Sequence, residues 1–206
     1  TPYERLVLGL DATDSNAMEE LEDFDDMMLQ AMSVSGFTPR TTYPGVVGVY
    51  YKTDNPFELY IYENGKFYYN YVIGGNCTWY AFGRAYEILG TKPDLSRGDA
   101  GQWWGFNKQK YDSGRGGYSY GWTPKLGAIA CWSAPGNYGH VAIVENIDSN
   151  GVISLSESNI PGLSSRPRFS YNQDKVGLDS FFRSKGGGFQ GYIYVLPDEN
   201  PNMPSD

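Results

Sequence analysis

Apolar residues recur along the chain in two rhythms. Over residues 16–32, Leu21, Phe24, Met28 and Ala31 fall at helical spacing with acids on the opposite face, which predicts an amphipathic helix. Asp14 or Ser15 can cap it, and acids in its first turn suit the dipole. Residues 33–45 carry Gly36, Pro39, Pro44 and Gly45 and read as a connection. Strands are then expected at 46–51, 59–62 and 67–72. Glu63-Asn64-Gly65-Lys66 forms a tight hairpin turn between the last two. Cys77 to Leu89 reads as a helix closed by Gly90. Residues 91–124 are rich in Gly, Ser, Asp, Trp and Tyr with little periodicity, and predict a long loop region. Further strands are predicted at 128–132, 140–147, 152–158 and 191–196, with Asp148-Ser149-Asn150-Gly151 turning a second hairpin.

The chain has 206 residues, enough to bury a substantial core. Its 26 glycines and 18 tyrosines suit a loop-rich, β-rich protein, with most tyrosines filling half-exposed strand positions. The net charge is −8, but nine acids and two bases in residues 1–40 give −7 there, leaving −1 for the rest. No basic stripe marks a nucleic-acid surface. No apolar run approaches the ~20 residues of a membrane span. The start lacks an initiator methionine and a leader, and residues 198–206 read as a linker, so a piece of a longer protein is expected.

Asp11 to Glu22 has the length of a calcium loop, yet Thr13, Ser15 and Asn16 stand where ligands and the turn glycine belong. A solvated helix face is the expected role. With one histidine, a His-rich metal site is excluded, and no metal or cofactor is expected.

Two cysteines do not make a disulfide framework, and both are expected to be free. Cys131 lies in an apolar run and reads as a buried structural thiol. Cys77 follows Gly74-Gly75-Asn76 at a helix start, where unpaired amides favour thiolate. A thiol needs a base, and the sole histidine, His140, is the only imidazole available. A third group must orient that ring. On the next hairpin strand, Glu157 and Asn159 share a face, while Ser156 and Ser158 point the other way.

Four blocks in this order resemble the CHAP domain, the cysteine, histidine-dependent amidohydrolases and peptidases of peptidoglycan. They are Gly75-Asn76-Cys77-Thr78-Trp79-Tyr80-Ala81, Pro124-Lys125-Leu126-Gly127-Ala128-Ile129-Ala130, Tyr138-Gly139-His140-Val141-Ala142-Ile143-Val144-Glu145 and Glu157-Ser158-Asn159. The resemblance covers roughly residues 70–197. It implies an α+β, papain-like fold (NlpC/P60-CHAP type) with a central antiparallel sheet behind the N-terminal helix. The organisation expected is an acidic helical segment and hairpin extension over 1–69, a catalytic domain over 70–197 and a linker over 198–206.

The resemblance further implies Cys77 as nucleophile, His140 as base, and Glu157 as orienter with Asn159 as a further polar member. Asn76 and the Cys77 amide would donate to the oxyanion. Some relatives bind calcium just before the cysteine, but residues 64–76 contain no Asp or Glu. The implied substrate is peptidoglycan, cut at the sugar–peptide amide or within its peptides, outside the cell at the wall or on a phage virion. Trp103, Trp104, Trp122 and Tyr138, with Tyr118 and Tyr120 nearby, are candidates to stack on it. A wall-binding or assembly module without catalysis, or an acyl transferase, are the competing readings.

Overall fold

The computed structural model describes residues 37–45, 48–57, 75–158 and 169–197. The expected helix over 16–32, the acidic run Asp11–Glu22, the strands at 59–62 and 67–72 with their turn, and Asn159 lie outside these residues. The chain divides into two units, Thr1–Thr38 and Pro39–Asp206. Everything below concerns the second.

Among the described residues of this unit, three α-helices pack on a mixed-order antiparallel sheet. Helix α1 is Cys77–Leu89, α2 is Ala100–Asp112 and α3 is Lys175–Ser184. The strands are β1 (Tyr120–Gly121), β2 (Ile129–Ser133), β3 (His140–Ile147), β4 (Ile153–Ser158), β5 (Phe169–Asp174) and β6 (Gly188–Ile193). They form one six-stranded sheet in the order β1-β6-β2-β3-β4-β5, every pair antiparallel.

The sheet is covered on both faces, which is why β2 and β3 read as almost unbroken apolar runs. Side chains alternate between the faces. Ile129, Cys131, Val141, Ile143 and Ile193 pack with Trp79, Tyr80, Phe82 and Ala85 of α1 and with Trp103 of α2. Ala130, Trp132, Ala142, Val144, Leu155 and Tyr192 pack with Leu178 and Phe182 of α3. Full burial of each large side chain contributes about 1.5–3 kcal/mol, so these two layers carry most of the folding drive.

Helix α1 starts and ends where the sequence places it. Asn76 caps it by accepting the Trp79 amide at 3.0 Å, and Gly90 closes it in the left-handed conformation at φ 67°. Its one internal glycine has a packing cause. A Cβ on Gly83 would lie 2.5 Å from the Tyr51 ring.

Three expectations are corrected. The strand over 46–51 is not formed by its described residues. Val49–Thr53 is instead a π-helical turn whose Tyr51 is buried against α1, so tertiary burial overrides the β-prone sequence. The loop over 91–124 holds the 13-residue helix α2. Gly101 and Gly105, each costing about 1 kcal/mol of helix propensity, mask it in the sequence. Ala100, Trp103 and Asn107 nonetheless form one buried stripe on it. Between 158 and 191, α3 and β5 were not foreseen, and the last strand is Gly188–Ile193 rather than 191–196.

Candidate active site

Cys77 is the first residue of α1, partly exposed, with the helix's unpaired amides around it. Two bonds fix the turn before it. Thr78 Oγ1 donates to Asn76 Oδ1 at 2.8 Å, and Ser158 Oγ of β4 donates to the Gly75 carbonyl at 2.5 Å. With its Oδ1 committed to the cap, Asn76 has only its Nδ2 end to offer a ligand.

His140 opens β3 and is completely buried. Its Nε2 is bonded to Glu157 Oε2, and Glu157 is equally buried. The ring stacks on Phe182 of α3 with centroids 5.9 Å apart and planes at 16°. Trp132, its partner across β2 and β3, flanks it at 6.0 Å. Trp132 is in turn held through its Nε1 by Asp179 at 2.7 Å. The preceding Gly139 has φ +52°, and a Cβ there would lie 2.3 Å from the Trp132 carbonyl and 2.6 Å from the Gly101 backbone. Only glycine fits.

With Nε2 taken, Nδ1 is the nitrogen left for the thiol. It makes no hydrogen bond of normal geometry among the described residues, nor does Glu157 Oε1. Cys77 is nevertheless close enough to act on the ring through charge and an incipient hydrogen bond. Such bonds are commonly loose before substrate binds. Burial works against a charged imidazole, but Glu157 and Cys77 together outweigh it and raise His140 from 6.5 to about 10. An imidazole held charged by a buried carboxylate, coupled to a thiol at a helix start, can activate sulfur as a nucleophile.

Cys131 is free like Cys77 but lies in other surroundings. It is fully buried in β2, and burial alone pushes its thiol far above the ordinary value.

Residues 66–159 match the CHAP domain family. The match covers just under half of the chain. The chain is 40% identical over 85 residues to the N-acetylmuramoyl-L-alanine amidase sle1 of Staphylococcus epidermidis, an alignment covering 41% of this chain and 24% of that protein. It is 39% identical over 88 residues to the probable autolysin LDP of Staphylococcus aureus, covering 43% of this chain and 29% of that one. The chain thus spans less than a third of the length of these relatives. A solved N-acetylmuramoyl-L-alanine amidase from Staphylococcus aureus is 30% identical at a TM-score of 0.35, covering 57% of this chain and 30% of its own.

The four aromatic candidates separate. Trp103 is corrected. It is 0% exposed, packs on Phe57 at 5.9 Å and donates to the Gly98 carbonyl at 3.1 Å, so it belongs to the core. Tyr138, two residues before His140, is 74% exposed. Trp122 is 68% exposed and meets Trp104 at 6.2 Å and Phe189 at 5.9 Å. Phe189 reaches Trp132 at 5.3 Å, so a row of rings runs from Trp122 to the histidine. Sequence reasoning missed Phe182, Ser158 and the buried Arg84–Glu145 pair. The spacing of Leu178, Phe181 and Phe182 is a signal for α3, but Gly177 in the first turn weakens it.

No helix among the described residues is long and apolar enough to cross a membrane.

Proposed function

We propose that this chain is a papain-like peptidoglycan hydrolase that cleaves an amide through a cysteine acyl-enzyme. The observation that carries the reading is a buried His140 joined to Glu157 on one side and coupled to the helix-start Cys77 on the other. The Cys77 thiolate attacks the amide carbonyl carbon. The oxyanion that forms is met by the Cys77 amide and Asn76 Nδ2. The His140 imidazolium gives its Nδ1 proton to the leaving amine as the C–N bond breaks. Water then attacks the thioester, His140 takes its proton, and the product leaves as a carboxylate with Cys77 restored. Glu157 holds the ring and its charge throughout. Asn159 is the further polar member of the set.

The relatives named amidase and autolysin favour the bond between sugar and peptide as the target, and the bacterial wall as the place of action. Trp104, Trp122 and Tyr138 are proposed to stack on the substrate beside the site. A non-catalytic wall-binding module would have no use for a buried histidine held charged at a thiol.

Digestion of purified peptidoglycan tests the reading, with the new termini identified by mass spectrometry. Wild type and Cys131→Ala should release new amide-derived termini, and Cys77→Ala none. Cleavage by folded Cys77→Ala would overturn it.

A further inference from the structure

Behind the site lies a set of charges that the chemistry above does not use. Arg84 of α1 is seven residues after Cys77, and Glu145 of β3 is five after His140. Arg84 Nε donates to Glu145 Oε1 at 2.9 Å, and its terminal nitrogen donates to Oε2 at 3.0 Å. Ser156 Oγ donates to Oε1 at 2.7 Å, and the Arg40 amide to Oε2 at 2.9 Å. Four donors therefore fill the acceptor positions of a completely buried carboxylate. Tyr80 of α1 donates to the same Ser156 at 2.7 Å.

A second carboxylate joins the set. Glu87 accepts from Arg84 at 2.8 Å and Tyr51 at 3.2 Å, and pairs with the Arg40 guanidinium. Among the described residues, two guanidinium groups meet two carboxylates here. Arg40 lies outside the residues that match the CHAP family.

The forked geometry allows one arrangement of helix against strand, whereas apolar packing alone tolerates sliding. We propose that Arg40, Arg84, Glu87 and Glu145 are positioning residues that set the register of the Cys77 helix against the His140 strand. This rests on the Cys77–His140 reading above. It makes Arg40, which lies outside the family match, one of the residues that position the catalytic pair. A misplacement of about 1 Å between reacting groups costs on the order of 100-fold.

The test is the pH dependence of Cys77 alkylation by iodoacetamide in the full chain, followed by peptide mass spectrometry, alongside wall cleavage and thermal melting. Wild type should keep rapid alkylation at pH 6, and His140→Ala should lose it. Arg40→Ala, which trims a partly buried side chain, and Arg84→Lys, which keeps charge but not the fork, should fall towards the His140→Ala profile. Their kcat should drop roughly 10- to 100-fold, with KM little changed. Folded variants with lower melting points but wild-type alkylation profiles and kcat would overturn the proposal, leaving the network merely stabilising. Wild-type alkylation in His140→Ala would instead overturn the Cys77–His140 reading itself.

Discussion

His140 shows how one side chain's surroundings decide its chemistry. Burial would leave an isolated imidazole neutral, yet Glu157 and Cys77 hold it charged up to about pH 10. The group's pKa is raised on folding, so its stabilisation is complete below its ordinary 6.5 and lost as pH climbs through about 10. Glu157→Gln removes the carboxylate partner. Its melting temperature should fall short of wild type most at about pH 6, and the gap should shrink towards pH 10 in calorimetry. A gap that is constant with pH would mean that the ring is neutral in the folded protein. The same variant should retain more wall cleavage than Glu157→Ala, because an amide oxygen still accepts from the imidazole.

Elements place these residues, and they were unequally legible. Helix α1 was readable because cap, apolar spacing and terminal glycine agree, and β3 because His140 opens a clean apolar run. The alternation in β4 correctly separated Glu157 from Ser156 and Ser158, whose opposite face serves Glu145 and Gly75. Helix α2 and the π-helical turn at 49–53 were not legible, since contacts distant in sequence form them. Trp103 packs on Phe57, and Tyr51 on Trp79. Helix α3 was hidden by Gly177, yet it supplies Phe182, the ring on which His140 rests. Phe182→Ala should destabilise the fold by about 3–5 kcal/mol in denaturant titration. It should also slow wall cleavage at temperatures where the protein stays folded. Unchanged activity would show that the Glu157 bond alone holds the ring.

At the scale of the whole molecule, charge and chemistry are separated along the chain. Residues 1–40 carry −7 of the net −8, while Cys77, His140 and Glu157 lie far downstream. The described part of the second unit begins at Pro39, and Arg40 is already tied to Glu87 and Glu145. Removing residues 1–38 should therefore spare wall cleavage. Starting at Tyr43 should weaken both cleavage and stability, because Arg40 goes with the cut. Equal activity of the two shortened chains would remove Arg40 from the account. The claim on which the rest depends is that Cys77 is the sole nucleophile. Titrating the protein with iodoacetamide at pH 6 measures it directly, with intact mass and wall cleavage followed together. One adduct on Cys77, none on the buried Cys131, and loss of cleavage in proportion to labelling are the predicted result. Cleavage that survives complete labelling of Cys77 would contradict it.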